Sequence, residues 1–272
     1  MRWLSVIALS LVFAATASAA TVDGLNIHST TTGTGPATLV LVHGWTCDES
    51  SWAGQVPVLA KKYRVITVDL PGHGRSGAPA NGQFSMDLFA RAVEAVRVEK
   101  GAGKIVLVGH SMGAPVIRQY ARLYPDRVAG LIAVDGPLDM RQFPADFKPP
   151  ALTGAEGFKA REGMIRGMFT PQTPPELQQK ILTMMLKAPE ATAIGAMGSM
   201  MDPALRKDDV TPMPALAIWA GTNQQLPKLD DTRKALPKYE QTQVAGTGHF
   251  VMMEKPDEFN QLVVAFVDKL QF

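Results

Sequence analysis

Short apolar runs bounded by glycine or proline alternate along the chain with stretches in which apolar residues recur at helical spacing. The runs contain few polar positions, which is typical of strands whose sheet is covered by helices on both faces. The clear apolar runs lie at 38–42, 64–68, 104–108, 128–134 and 215–219, and weaker ones at 25–31 and 239–244. The stretches with helical spacing lie at 52–60, 86–99, 112–123 and 257–269. This alternation predicts βαβ units and an α/β fold with a mostly parallel sheet.

Residues 137–209 break this rhythm, because prolines cluster there, short helical stretches replace strands, and methionine is dense. We interpret the segment as a helical cap inserted into an α/β core. The core then comprises 21–136 and 210–272. Adaptable methionine side chains suit an apolar substrate pocket, although they also serve simply to pack helices onto a core. The methionines expected to contact substrate are Met140, Met164 and Met168.

The first 20 residues have the three parts of a secretory signal. Met1-Arg2 is positively charged, an apolar run extends from Leu4 to Ala15, and the small residues Ala17 to Ala20 suit cleavage. The run is too short and wrongly flanked for a stable membrane span. We therefore expect a signal peptide over 1–20 and a secreted or periplasmic protein; the alternative is a buried N-terminal helix.

The charge balance narrows the range of partners. The formal net charge is +2, and removal of the signal takes away Arg2 and no acid, which leaves +1. Such a balance argues against nucleic acid or another polyanion as a partner. Cys47 is the single cysteine, so neither a disulfide framework nor a cysteine-rich metal site is expected. We expect a monomer or homodimer that binds a small molecule.

The clearest chemical motif runs from Gly109 to Gly113 and has the form G-x-S-x-G between a predicted strand and a predicted helix. A sharp turn in that context holds the serine in a strained conformation with its Oγ exposed, and the glycines avoid collisions with neighbouring backbone. The helix N-terminus adds positive potential and free N–H groups. This context favours Ser111 as a nucleophile over an ordinary glycine-rich turn.

With this motif the chain resembles the α/β-hydrolase fold family over nearly all of residues 22–272. Three further segments carry the resemblance: His43-Gly44-Trp45, the octapeptide Asp69 to Ser76, and Gly248-His249-Phe250. The resemblance implies a mostly parallel, eight-stranded sheet with helices on both faces. It also implies that the first segment supplies oxyanion-hole backbone, the second a structural turn, and the third the catalytic histidine.

The expected general base is His249. In this fold the catalytic residues follow the order serine, acid, histidine, and only one of the five histidines follows Ser111. His249 lies in a glycine-rich loop from which an imidazole can reach the carboxyl edge of the sheet. A serine hydroxyl is a poor nucleophile until such a base takes its proton. The alternative is a surface histidine, while His110, within the turn itself, is interpreted as structural.

The acid departs from the usual pattern. Most family members place it after the seventh strand, but the corresponding loop, 220–227, has no carboxylate. The other known position follows the sixth strand, where Asp135 ends the run at 128–134. This arrangement resembles that of haloalkane dehalogenases, whose nucleophile, however, is an aspartate. We expect Asp135 to orient His249; the alternative is an aspartate that only caps a turn. The other candidate acids are Asp139, Asp230 and Asp231.

Two backbone N–H groups are expected to form the oxyanion hole, that of Met112 after the nucleophile and that of Trp45. The Trp45 side chain is also expected to line the substrate pocket; packing under the cap is the alternative. Cys47 has no later histidine of its own to activate it, and we interpret it as a small buried hydrophobic residue.

Together these residues predict a serine hydrolase that cleaves small to medium carboxylic esters through an acyl-enzyme on Ser111. Neither a metal nor an organic cofactor is expected, because histidine pairs at ligand spacing and phosphate-binding loops are absent from the sequence. The alternatives are a lactonase or another acyl or carbon–carbon bond hydrolase on the same triad. A different class is a ligand-binding protein that keeps the fold without turnover.

Overall fold

A computed structural model of the chain describes residues 20–223 and 226–272. The strands in this part are β1 (Ala20–Val22), β2 (Leu25–Ile27), β3 (Ser29–Thr32), β4 (Thr38–Val42), β5 (Arg64–Val68), β6 (Ile105–His110), β7 (Val128–Val134), β8 (Ala215–Ala220) and β9 (Tyr239–Val244). The α-helices are α1 (Val56–Leu59), α2 (Met86–Glu99), α3 (Gly113–Leu123), α4 (Gly154–Arg166), α5 (Pro175–Leu186), α6 (Glu190–Met200), α7 (Leu229–Ala235), α8 (Val251–Glu254) and α9 (Pro256–Val267). The signal peptide predicted over 1–20 lies outside the described residues except for Ala20.

The main sheet has the strand order β3-β5-β4-β6-β7-β8-β9, and only the β3–β5 pair is antiparallel. Every residue of β4, β6, β7 and β8 is buried. Because successive side chains point to opposite faces, complete burial means that the sheet is covered on both faces. The predicted α/β class with a mostly parallel sheet is confirmed.

The number of strands corrects the sequence-based expectation, since the main sheet contains seven described strands instead of eight. The first two strands form a separate antiparallel hairpin, in which Val22 lies opposite Leu25. Asp23 and Gly24 make its turn with φ of 50° and 78°. A two-residue hairpin turn of type I′ requires this left-handed backbone at both residues, and Asp-Gly is among its preferred sequences. The strand predicted at 25–31 is therefore divided between this hairpin and β3.

Three helices, α4 to α6, lie between β7 and β8, in the segment predicted to be a cap. Helix α6 is hydrogen-bonded to two loops of the core. Thr192 Oγ1 donates to Gly72 O at 3.0 Å, and Trp45 Nε1 donates to Ala193 O at 2.8 Å. None of the described helices is both long enough and apolar enough to cross a membrane.

The parallel strands β4, β6, β7 and β8 are neighbours in the sheet, so their carboxyl ends lie at the same edge. The loops that follow them therefore converge, as is usual for sites in open α/β sheets. These loops begin at His43, Ser111, Asp135 and Gly221. The strand order thus brings together segments that are far apart in sequence.

Candidate active site

Ser111 occupies the turn between β6 and α3 with φ of 52°. This left-handed backbone costs a non-glycine residue about 1–3 kcal/mol, and the Ser111 N–H stabilises it by donating to Val134 O at 2.8 Å. The flanking glycines are sterically required. A Cβ at Gly109 would collide with Gly113 O, and a Cβ at Gly113 would lie 2.5 Å from Val42 O. The strand–turn–helix geometry expected around Ser111 is present.

His249 and Asp135 are in direct contact, although they are 114 positions apart in the sequence. The distance between His249 Nδ1 and Asp135 Oδ2 is 2.6 Å. Asp135 directly follows β7 and has a left-handed backbone, with φ of 44°. Its second oxygen, Oδ1, accepts from the Ala220 N–H at 2.9 Å and from Asn223 Nδ2 at 2.5 Å. These two donors hold the carboxylate with Oδ2 towards the imidazole.

The charge state of Asp135 follows from opposing effects on its pKa. Burial by itself would raise that pKa, but the hydrogen bond to His249, the charge of His249 and the Ala220 N–H outweigh it. The pKa of Asp135 therefore lies below its ordinary value, and the group is a carboxylate at neutral pH. An ionised carboxylate in this position stabilises positive charge that develops on the imidazole.

Asn223 is a site residue that the sequence analysis missed. It lies in the loop after β8, which contains no carboxylate and from which no catalytic residue was predicted. The structure shows that this loop still contributes, because the Asn223 amide donates to Asp135. The position of Asn223 in the sequence could have indicated this role, since a polar side chain lies in the loop where most family members have the acid.

The other candidate acids have different partners. Asp139 accepts from the Arg141 N–H at 3.0 Å and pairs with the Arg141 guanidinium at 2.8 Å. Asp230 and Asp231 lie in the first turn of α7, where Asp231 pairs with Lys234 at 2.8 Å. Among the carboxylates considered, Asp135 is thus the one in contact with His249.

His110 supports the backbone of His249. Its Nε2 donates to His249 O at 2.9 Å, and its ring packs against the His249 imidazole with centroids 4.8 Å apart. Burial and the neighbouring charge of His249 lower the pKa of His110 to about 3. His110 is therefore neutral, and it fixes the position of the His249 main chain without competing for the proton.

The N–H groups of Trp45 and Met112 lie in the two loops that meet at Ser111. Gly44 lets these loops approach, since a Cβ there would lie 3.1 Å from Ser111 Cβ and 3.0 Å from His110 Nδ1. Within the described residues, neither the Trp45 N–H nor the Met112 N–H donates to a protein acceptor. Both donors remain available for an anionic oxygen beside Ser111.

A small cavity of about 10 Å³ lies over Ser111. Its walls are formed by Gly44, Trp45, Cys47, His110, Ser111, Met168, Met185, His249 and Phe250. A space of this size holds about one water molecule. The cavity is lined by both residues of the predicted nucleophile–base pair, and two methionines of the segment 137–209 form part of its wall.

Of the four residues predicted to contact substrate, two line the cavity over Ser111 and two do not. Trp45 and Met168 line the cavity over Ser111. Met140 instead lines a separate cavity of about 70 Å³, because it lies in a short 3-10 turn that packs beside Phe143. Met164 packs against the hydrophobic core and is not among the residues of the Ser111 cavity. Helical spacing alone did not separate these orientations.

Two further residues, Met185 and Cys47, contribute apolar surface to the cavity wall. Met185, near the end of α5, belonged to the methionine-rich segment but was not singled out by the sequence. Cys47 is buried, and burial raises the pKa of its thiol, so it is protonated and unreactive at neutral pH. Both contribute apolar surface next to Ser111. No group of three or more His, Cys, Asp and Glu residues in the described ranges could hold a metal ion.

Comparison with known proteins places this geometry in a family. The sequence profile of the alpha/beta hydrolase family matches residues 39–262. Pimeloyl-[acyl-carrier protein] methyl ester esterase of Aeromonas hydrophila is 31% identical over 254 residues, which cover 86% of this chain and 96% of that protein. A thermophilic esterase from Thermogutta terrifontis superposes with a TM-score of 0.76 at 27% identity, covering 92% of this chain and 96% of the esterase.

A further relative is longer than this chain. The dihydrolipoyllysine-residue acetyltransferase component of the acetoin cleaving system of Pseudomonas putida is 30% identical over 246 residues, or 87% of this chain. The chain spans 65% of the length of that protein. The family profile, by contrast, matches most of this chain. The chain belongs to the alpha/beta hydrolase family.

Proposed function

We propose that the protein is a serine hydrolase that cleaves small to medium carboxylic esters with an apolar acyl or alkyl part. The observation that carries this proposal is the 2.6 Å contact between His249 and Asp135 beside the strained turn that presents Ser111. Similarity to a methyl ester esterase supports an ester as the substrate. The apolar wall formed by Trp45, Met168 and Met185 supports an apolar group next to the reacting bond.

In the first step, Ser111 Oγ attacks the ester carbonyl while His249 Nε2 takes the hydroxyl proton. The imidazolium that forms is stabilised by Asp135, towards which Nδ1–H points. The carbonyl oxygen becomes negative and accepts from the Trp45 and Met112 N–H groups, next to the positive end of α3. His249 then gives its proton to the alkoxide, and the alcohol leaves.

In the second step, a water molecule attacks the acyl group bound to Ser111. His249 again takes a proton, now from the water, and returns it to Ser111 Oγ as the carbon–oxygen bond breaks. The acid product leaves and the enzyme is restored. Neither step requires a metal or an organic cofactor, because the backbone donors and Asp135 stabilise both charges.

A fluorophosphonate probe tests whether the protein is an enzyme. An activated serine oxygen attacks its phosphorus and displaces fluoride, which leaves a stable phosphonylated serine. We therefore expect covalent labelling of the full chain at Ser111. The Ser111→Ala variant is the matched control and should remain unlabelled. Folded wild-type protein that resists the probe would instead favour a ligand-binding protein without turnover.

A panel of substrates tests the bond that is cleaved. We expect p-nitrophenyl esters of short and medium chain length to be hydrolysed with the highest kcat/KM. Lactones, amides and compounds with an activated carbon–carbon bond serve as competitors in the same assay. A kcat/KM for lactones that exceeds the value for every ester would replace the esterase proposal by the lactonase alternative.

We also propose that the protein is exported, with residues 1–20 as a cleaved signal peptide. Support comes from the basic, apolar and small-residue parts of that segment. N-terminal sequencing of the protein from the periplasm or medium should begin at Ala20 or Thr21. Exported or cell-retained protein that still carries Met1 would contradict the proposal.

A further inference from the structure

Three hydrogen bonds tie the loop that holds His249 to the cap. The His249 N–H donates to Met168 O at 3.1 Å, in the cap segment between α4 and α5. The Gly248 N–H donates to Glu254 Oε2 at 3.0 Å, and Thr173 Oγ1 of the same cap segment donates to that oxygen at 3.1 Å. Glu254 therefore bridges the histidine loop and the cap through one carboxylate oxygen.

The direction of the Thr173 hydroxyl is fixed by its surroundings. Thr173 is 2% exposed, and its Oγ1 accepts from the Thr170 N–H at 2.9 Å. Thr170 Oγ1, 3.3 Å away, carries a proton of its own and can also donate to Thr173, whereas a carboxylate oxygen only accepts, so the single Thr173 proton goes to Glu254. The hydrogen bonds of the bridge therefore run in one direction, from the Thr170 N–H to the Thr173 hydroxyl and from that hydroxyl to the Glu254 carboxylate.

One carboxylate oxygen of Glu254 contributes unfavourably to the stability of the folded protein. Within the described residues its Oε1 is buried without a hydrogen-bond partner. A buried acceptor that lacks a partner destabilises the folded protein. The unpaired oxygen adds nothing to stability, so the contribution of Glu254 lies in the bridge that Oε2 makes between Gly248 and Thr173.

Entry of a substrate requires movement in the wall of the cavity over Ser111, to which Met168 belongs. The cavity over Ser111 has a volume of about 10 Å³, and Met168 forms part of its wall. An ester is much larger than the single water molecule that fits there, so the wall has to move. Because Met168 lines the cavity and its carbonyl oxygen accepts from the His249 N–H, a movement of the Met168 main chain changes both at once.

We propose that Glu254 is a positioning residue that couples closure of the cap segment 168–173 to the placement of His249. The proposal rests on the function proposed for Ser111 and His249. When the cap is closed, all three hydrogen bonds hold the histidine loop. When the cap segment moves away, only the bond from Gly248 to Glu254 remains of these three. The His249 main chain is then held by that bond and by His110, and His249 is placed less firmly beside Ser111.

A pair of threonine variants separates positioning from general stability. Thr173→Val removes the hydroxyl that reaches Glu254 and keeps the side-chain shape. Thr232→Val is the control, because Thr232 is as buried as Thr173. Its hydroxyl oxygen accepts from Gln142 Nε2 at 2.7 Å, at a different contact between residues 137–209 and the core. We expect Thr173→Val to lower kcat/KM about tenfold and Thr232→Val less than about twofold, at similar losses in Tm. Equal losses of activity would overturn the proposal.

The acceptor itself is tested by Glu254→Ala and Glu254→Gln. An amide oxygen accepts from both Gly248 and Thr173, so Glu254→Gln should keep most of the wild-type kcat, while Glu254→Ala should lose about tenfold. A glutamine variant as impaired as the alanine variant would show that the charge matters instead of the bridge, and would overturn the proposal.

Hydrogen exchange supplies a readout that does not depend on turnover. Exchange of the peptide that contains Gly248 and His249 should become faster in Glu254→Ala and Thr173→Val and remain unchanged in Thr232→Val. Unchanged exchange in all three variants would contradict the bridge. If the wild type neither hydrolyses esters nor reacts with the fluorophosphonate, the proposed function fails, and the exchange data still decide whether Glu254 holds the loop.

Discussion

At the scale of single residues, the site depends on two strained backbones that support one another. Ser111 and Asp135 both have positive φ, which costs each about 1–3 kcal/mol. The Ser111 N–H bonds to Val134, directly before Asp135. A Cβ at Gly136 would collide with Ser111 O, so the second turn fits only with glycine behind it. The two turns are therefore interlocked, and the surrounding sheet holds both in place.

Asp135→Asn tests the orienting carboxylate. The asparagine retains an oxygen for the Ala220 N–H but cannot stabilise the imidazolium, so we expect kcat to fall about 10³–10⁴-fold with the fold retained. Ester hydrolysis and a thermal melt measure the two effects. Asp139→Asn serves as the control and should retain activity; the reverse pattern would assign the acid to Asp139.

The lowered pKa of Asp135 also predicts how stability depends on pH. A carboxyl group whose pKa is lower in the folded than in the unfolded chain adds stability that is complete above the unfolded value of about 3.9. That contribution is lost as the pH falls through the lowered pKa. The free energy of unfolding, measured by urea denaturation from pH 6 to below about pH 3, should therefore fall less steeply in Asp135→Asn than in the wild type. Parallel curves would contradict the shift.

At the scale of elements, continuous apolar runs were the most reliable signal. The strands predicted at 38–42, 64–68 and 128–134 have the same bounds in the structure. The stretch at 52–60 contains only the short helix Val56–Leu59, preceded by a 3-10 turn at Glu49–Trp52. A strand buried on both faces is visible in the sequence as a continuous apolar run. A short helix is instead stabilised by packing against neighbours, which local spacing does not reveal.

Helix α6 offers a prediction with an internal control. A Cβ at Gly195 would collide with the Phe84 ring, whereas a Cβ at Gly198 meets nothing within 4 Å. Alanine stabilises a helix by about 0.8–1 kcal/mol relative to glycine. We therefore expect Gly198→Ala to raise the free energy of unfolding by up to about that amount, and Gly195→Ala to lower it. Equal stabilisation by both would mean that α6 does not lie against Phe84.

At the scale of the whole molecule, the cap and the core meet over Ser111 and leave very little space. Helix α6 is tied to the core through Thr192 and Trp45, and the segment after α4 is tied to the histidine loop through Met168. The cavity between them holds about one water molecule. Substrate size is therefore controlled by how far the cap moves and by the side chains that line the closed space.

A pair of methionine variants tests which side chains set substrate size. Met185 lines the Ser111 cavity and Met140 lines a separate one, and both are buried. Each change to alanine should cost about 2–5 kcal/mol of stability. We expect only Met185→Ala to raise the ratio of kcat/KM for hexanoate to that for acetate esters, by about tenfold. The same change in Met140→Ala would show that stability, and not cavity volume, controls the ratio.

The sequence by itself determined the local features of the protein: the buried strands, the glycine-flanked turn around Ser111, and the chain order that singles out His249. These features are readable because burial and turn sterics act between residues close in the chain. Only the tertiary structure decided that Asp135 contacts His249 across 114 positions, that Asn223 assists it, and that Met185 faces the cavity while Met140 does not. Such contacts depend on the order of strands in the sheet and on the orientation of packed helices. Both are set by the combined packing of distant segments, which no single stretch of the sequence contains.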